Sequence, residues 1–352
     1  MNTPQNNPQQ ISQSTPKKAK KSGSGGLVAL IIIVILTLGF ASFAYLSGDT
    51  PSDSAKSIVS SSKERIQNFS FSSTKKVNVF ENDYIAKLYI TGIIQEKNKT
   101  YCQEWLLTTI KDLAADPKNK GIILFINSPG GAVYESDEAY LALNEYRKTR
   151  KPVWAYQGQL AASGGYYISC GAEYICANRN TLTGSIGVIA GQSIDLTELM
   201  SRYGIKSKTF TAGKNKNMLN YNNPLTEEQE KIMQSIADEC YDQFTSIVAV
   251  NRSLPIDTVK KLADGRIYTA KQALDAKLID RVCSFDEATN AMKAKYNFVG
   301  VDVEEFYYEP KTSWYNLLSE SLSKASPLSQ STENRILDLM TQDIKYPAYL
   351  YK

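Results

Sequence analysis

The chain has 352 residues, five cysteines and no histidine. A Ser-His-Asp or Cys-His hydrolase and a His-ligated catalytic zinc are therefore excluded within it, and proton transfer falls to Lys, Asp, Glu, Tyr, Cys or a terminus. The formal charge of +4 is carried entirely by Lys17, Lys18, Lys20 and Lys21, so the remaining chain is neutral, which argues against a nucleic-acid binder.

Residues 1–26 are rich in Asn, Gln, Pro, Ser and Lys and read as a disordered tail. Leu27–Leu46 (LVALIIIVILTLGFASFAYL) is uncharged and, at about 1.5 Å per residue, long enough to cross a hydrocarbon layer. Lysines before it and none directly after it predict a cytoplasmic N-terminus and an extracytoplasmic body. A cleaved signal peptide is the rival reading, disfavoured by the length of the apolar run. Residues 47–76 read as a flexible tether, and a folded domain is expected over residues 77–300.

In that domain strands and helices alternate. Tyr84–Ile94 has strand character, Gln103–Ala115 reads as a helix, and Gly121–Ile126 is a short apolar run suited to a strand buried on both faces. Ala132–Arg150 reads as a helix, Val153–Gln157 as a strand, Ser163–Cys170 as a short helix and Tyr174–Ala177 as a strand. Beyond Lys206–Phe210 a capping box, Thr226-x-x-Gln229, opens a long helix with Ile232, Ile236, Cys240, Phe244 and Ile247 on one stripe. This order predicts an α/β domain with a mainly parallel sheet. Cys102, Cys170, Cys176, Cys240 and Cys283 lack metal-ligand spacing and read mostly as small buried apolar residues. Residues 301–352 are an aromatic-rich extension without an assigned role.

Three glycine-marked turns follow strands, where open α/β sheets place ligands. Asn127-Ser-Pro-Gly-Gly131 can turn backbone N–H groups into a concavity that holds an oxyanion or a peptide backbone; a plain strand–helix turn is the simpler reading. In Ala161-Ala-Ser-Gly-Gly-Tyr-Tyr167, small neighbours clear space around Ser163, which could serve as a nucleophile or only as a helix cap. Thr183-Gly-Ser-Ile-Gly-Val188 is the third, and Gly213-Lys-Asn-Lys-Asn217 follows it. Without imidazole, a serine needs another base. A lysine serves if desolvation favours its neutral amine, although loop lysines are usually solvated.

Taken in order, NSPGG, AASGGYYIS, TGSIGVI, GKNK and ADGRIYTAKQALDAKLID strongly resemble the signal peptide peptidase A family, membrane-anchored Ser–Lys proteases of the ClpP/crotonase-like superfold. The resemblance covers about residues 83–290. It implies a spiral of β-β-α repeats, Ser163 as nucleophile, Lys216 as general base, Ser185 as the residue orienting the lysine amine, and backbone N–H groups of Gly130, Gly131 and Gly164 as oxyanion donors. It further implies no metal or cofactor, signal peptides or other extended apolar peptides as substrates, and a homo-oligomer whose sites draw on neighbouring protomers. The chain departs from the family at Lys277, where glycine is usual, and at Asn215, where an aromatic residue often precedes the lysine. A crotonase-like acyl-CoA enzyme and a non-catalytic, membrane-anchored assembly protein are the competing expectations.

Overall fold

Alternate residues of three neighbouring strands bury into two separate cores, and this alternation organises the molecule. A computed structural model describes residues 80–310 and 348–350. The chain divides into two units, Met1–Ser70 and Phe71–Lys352, and all described residues belong to the second. The expected anchor, tail and tether lie outside them. Among the described residues, no helix is long and apolar enough to cross a membrane.

The elements in chain order begin with β1 (Tyr84–Thr91), α1 (Gln103–Ala115), β2 (Asn119–Ser128), β3 (Gly130–Ala132) and α2 (Val133–Arg147). Next come β4 (Val153–Ala162), α3 (Gly164–Ser169), β5 (Tyr174–Ala177) and β6 (Leu182–Gly184). The second half holds α4 (Thr197–Arg202), α5 (Glu227–Arg252), α6 (Ile256–Leu262), β7 (Ile267–Thr269) and α7 (Ala270–Asp275). It closes with β8 (Arg281–Val282), α8 (Phe285–Tyr296), β9 (Asp302–Phe306) and β10 (Ala348–Leu350).

The main sheet runs β7-β6-β4-β2-β1-β9, with β5 on β4 and β8 on β5. Every pairing in it is parallel except β6 with β7. The expected α/β domain with a mainly parallel sheet is what the chain forms. The sheet extends past residue 300: β9 pairs with β1, Leu88 opposite Phe306, so the first residues of the expected C-terminal extension complete its edge.

On one face Leu88, Ile90, Ile122, Leu124, Ile126, Val153 and Ala155 join the larger core with α1, α2 and α3. On the other, Ile85, Ile123, Trp154 and Tyr156 meet Ala288 and Met292 of α8. Helices on both faces explain why β2 reads as a nearly unbroken apolar run. Strand β4 is the pivot. Its first half pairs with β5 (Trp154 opposite Tyr174) and its last residues with β6 (Ala162 opposite Gly184), so it continues well beyond the Val153–Gln157 expected from the apolar pattern.

The five cysteines are free thiols, four of them buried and Cys240 half-buried. Helix α5 opens with the predicted capping box at Thr226 and Gln229. Only its second half reaches the core, through Phe244, Thr245 and Val248. Its last residue, Arg252, is tied down by a two-pronged ion pair with Asp280, Nη1 to Oδ2 at 3.0 Å and Nη2 to Oδ1 at 2.7 Å. Asp280 Oδ2 also accepts from the Ile175 amide at 2.7 Å, which joins α5 to the start of β5.

Lys277 resolves one departure from the family pattern. Helix α7 does end in the left-handed region, but the residue there is lysine, with φ 58°. The Leu278 amide closes the motif on the Ala273 carbonyl at 2.8 Å. A side chain in this region is strained, so Lys277→Gly should raise unfolding stability by about 1 kcal/mol in urea titration. Asp280→Ala should do the opposite. It strands a guanidinium whose side chain is only 7% exposed and should cost about 3 kcal/mol in the same titration.

Candidate active site

The end of β4 delivers Ser163 into a backbone conformation that serine rarely adopts, φ 53° and ψ −117°. Two hydrogen bonds hold it there: its N–H donates to the Gly184 carbonyl at 2.7 Å, and its carbonyl accepts from the Tyr167 N–H at 2.8 Å. Such strain costs about 1–3 kcal/mol and persists only where the surroundings over-determine it. Here Ala161 and Ala162 are fully buried behind it and Gly164 begins α3 in front. The serine is 1% exposed, and its hydroxyl makes no hydrogen bond among the described residues. A helix-cap role is excluded, because no side-chain cap bond forms.

Gly164 backs directly onto the Asn127–Gly131 turn. A Cβ placed there would lie 2.5 Å from Ser136 Oγ, 3.2 Å from Gly130 Cα and 3.2 Å from the Gly131 nitrogen. A Cβ on Gly131 would lie 1.8 Å from the Ile94 carbonyl oxygen. Glycine at 164 lets its backbone approach Gly130 and Gly131, and glycine at 131 lets that turn lie directly against Ile94. Gly164 is the first residue of its helix, so its N–H has no acceptor within the helix. The Gly131 nitrogen thus lies close to Gly164, the residue that follows Ser163.

Gly130 is different. Its N–H donates to Ser128 Oγ at 3.0 Å, while that hydroxyl donates to the Gly92 carbonyl at 2.6 Å. Of the three expected oxyanion donors, Gly130 is spent on shaping the turn. Ser128 is the residue that motif reading passed over. A serine whose side chain caps the backbone two residues on is an ordinary turn signal, and NSPGG contains it.

Ser185 stands directly after Gly184, the residue that holds the Ser163 amide. It too has positive φ, 50°, is 7% exposed, and donates its N–H to the Arg266 carbonyl at 2.8 Å. The two strained serines are thus joined through one peptide unit.

Lys216 lies elsewhere in the bonding pattern. From residue 187 to residue 243 no residue is fully buried, and Lys216 is exposed in a turn closed by its own N–H on the Gly213 carbonyl at 3.2 Å. Its amine has no ion pair or hydrogen bond among the described residues, and none joins it to Ser163 or Ser185. Lys214, its neighbour, is engaged with Glu228, and that contact holds the Glu228 carboxyl below the usual carboxylate range. Cys170, at the far end of α3, is no rival nucleophile. Complete burial pushes its thiol up to about 12, so the thiolate is not formed.

The family model for peptidase family S49 matches residues 145–298, a span that holds Ser163, Ser185 and Lys216. A protein from Enterococcus faecium, provisionally named signal peptide peptidase SppA, is 31% identical over 281 residues, covering 77% of this chain and 81% of the relative. The chain belongs to peptidase family S49. It is a serine-type peptidase. Among other relatives of this S49 chain, a protein of Methanocaldococcus jannaschii provisionally named a protease is 32% identical, covering 70% of this chain and 81% of its own length. The chloroplast serine protease SPPA of Arabidopsis thaliana is 33% identical over 59% of this chain, which spans 31% of that longer protein. A ClpP1 variant from Listeria monocytogenes overlays with 17% identity, 57% of this chain, 92% of its own and a TM-score of 0.38, too low to carry an argument.

In this S49 peptidase, Gly164→Ala should leave the fold intact while moving the amide pair. The expected result is a thermal unfolding midpoint within a few degrees of wild type and a kcat lower by at least about 100-fold on a peptide substrate. Unchanged kcat would remove Gly164 from the oxyanion site.

Proposed function

We propose that this peptidase cuts extended apolar peptides, signal peptides among them, with a Ser163–Lys216 dyad completed between protomers. The observation that carries the reading is the strained, unpartnered Ser163 beside the Gly131 and Gly164 amides. The neutral Lys216 amine takes the Ser163 proton as Oγ attacks the scissile carbonyl. The two amides hold the resulting oxyanion. The lysine then hands its proton to the departing amine, leaving an acyl-enzyme that a lysine-activated water hydrolyses. Ser185 orients the amine.

Assembly between copies accounts for two features at once. Lys216 is exposed and unconnected to Ser163 within one chain, and its segment carries unburied apolar side chains, Leu199, Tyr203, Ile205 and Phe210, the last 82% exposed. Covering this segment with a second copy would bury apolar surface and withdraw the amine from water. An amine removed from water loses its proton more readily, as a base must. The ClpP/crotonase-like superfold and a ring-like homo-oligomer are part of the same reading. So is an anchor at residues 27–46, which would hold the peptidase on the extracytoplasmic face of the cell membrane, near peptides left in the bilayer.

Complementation tests the dyad. Ser163→Ala and Lys216→Ala should each lose at least about 1,000-fold in activity on an apolar fluorogenic peptide. Lys216→Arg, permanently charged, should be equally inactive. When the two alanine variants are unfolded and reassembled together in equal amounts, each site has an intact serine half the time and an intact lysine half the time. Roughly one quarter of wild-type activity should then return. No recovery would place both residues in one chain, and full activity in either single variant would refute the dyad.

A further inference from the structure

Lys216 stands between two asparagines whose side chains are fastened. On one side, Asn215 Nδ2 donates to Glu228 Oε1 at 3.1 Å, and Asn215 Oδ1 accepts from Gln229 Nε2 at 3.4 Å. The other oxygen of Glu228 takes the Lys214 amine. On the far side, Asn217 Oδ1 accepts from Asn220 Nδ2 at 2.9 Å, and Asn222 Nδ2 reaches back to Ser207 Oγ at 2.9 Å. Among these bonds Leu219 is held at φ 63°, a left-handed backbone that is uncommon for a bulky side chain and kept where the surroundings impose it. Where the family often has an aromatic residue before the lysine, this chain therefore has an asparagine bonded to the first turn of α5.

That helix is a fixed mount. Gln229 belongs to the capping box that opens it: its Oε1 accepts from the Thr226 N–H at 3.2 Å while its Nε2 serves Asn215. Further along, Gln243 Nε2 donates to the Tyr167 hydroxyl at 2.8 Å, and the Tyr167 N–H holds the Ser163 carbonyl. At about 1.5 Å per residue, about 20 Å of helix separates Gln229 from Gln243. One rigid element thus fastens the lysine turn at one end and touches the serine's own support nearer the other. The turn has little stiffness of its own, since Gly213 opens it at φ 98°. A lysine side chain is long and flexible, and a general base must come within hydrogen-bond reach of the proton it takes. Its aim is therefore set by what fixes its backbone. We propose that Glu228 is a positioning residue for the general base: by gripping Asn215 and Lys214 it fixes the turn from which Lys216 reaches Ser163. This rests on the Ser163–Lys216 dyad. Glu228 is exposed and belongs to neither apolar core, so its removal acts on rate and leaves the fold intact.

The test uses the full chain and an apolar fluorogenic peptide. Glu228→Ala should lower kcat by about 10- to 100-fold and leave KM within about two-fold of wild type, because a misplaced base slows chemistry without touching substrate binding. Glu228→Gln keeps an oxygen for Asn215 Nδ2 and should hold kcat within about three-fold of wild type, the cost of exchanging a charged acceptor for a neutral one. Asn215→Ala should reproduce the Glu228→Ala loss, and the double variant should be no slower than either single one, as expected of two residues acting through one contact. All of these should match wild type in thermal midpoint and in elution volume on gel filtration. Wild-type kcat in Glu228→Ala, no rescue by glutamine, losses that multiply in the double variant, or a changed elution volume would each overturn the positioning role. Lys216→Ala tells the two readings apart. If it is inactive while Glu228→Ala is unimpaired, the dyad stands and the positioning role falls. If Lys216→Ala is fully active, the dyad falls and takes the positioning role with it.

Discussion

The contact between Gly164 and Gly131 is the constraint on which the site depends. Two backbone segments from different parts of the sheet meet with no side chain between them; a methyl group on Gly164 would press on Ser136 and the Gly130–Gly131 backbone, and one on Gly131 would collide with Ile94. Everything upstream serves this approach. Strand β4 runs past the point where its apolar pattern ends, exchanges β5 for β6 along one edge, and arrives at Ser163 with the Gly184 carbonyl waiting for its amide. Ser128 closes the opposite turn from below. Ser163 is thus set by the sheet register, with a loop contributing little, and rigid strand ends are well suited to holding a side chain to within a fraction of an ångström.

The body is built conservatively around this point. Apolar residues alternate between two cores, helices cover both faces, and the Arg252–Asp280 pair fastens the long helix α5 to β5. What is unusual lies in between. Residues 187–243 contain no fully buried side chain, and they include the lysine on which the chemistry is proposed to depend. Both cores form without residues 189–239, but the proposed Ser–Lys pair cannot form until something brings the amine inward.

Much of this was legible in the sequence, for identifiable reasons. Gln103–Ala115 and Tyr174–Ala177 follow local periodicity, and their bounds coincide with those observed. The α5 capping box is a four-residue signal and it forms as read. The glycine turns were visible because close backbone approach leaves a compositional trace. What was not legible depends on partners distant in sequence. Strand β9 has charged residues at Glu304 and Glu305 and becomes a strand only because β1 offers it an open edge. The strand end of β4, with Gly158 and Gln159, carries no apolar pattern and is fixed by β6. Gly130 looked equivalent to Gly131, and only the Ser128 hydroxyl separates them. Lys277 shows the converse: the glycine usual in the family is missing, yet the backbone keeps the left-handed turn and imposes it on a lysine.

The absence of residues 189–239 from both apolar cores separates two properties that usually travel together. Heat and denaturant report on the buried strands and helices, and these hold Ser163, Ser185, Gly131 and Gly164. The lysine-bearing segment contributes almost nothing to that signal. Exposed positions there, such as Tyr203 and Phe210, take no part in either core, so the segment can change its surface without endangering the fold. Quality control that recognises unfolded chains would pass a molecule whose serine is well placed and whose Lys216 segment is not. Under the proposed dyad, the decisive check for such a molecule is encounter with its own kind.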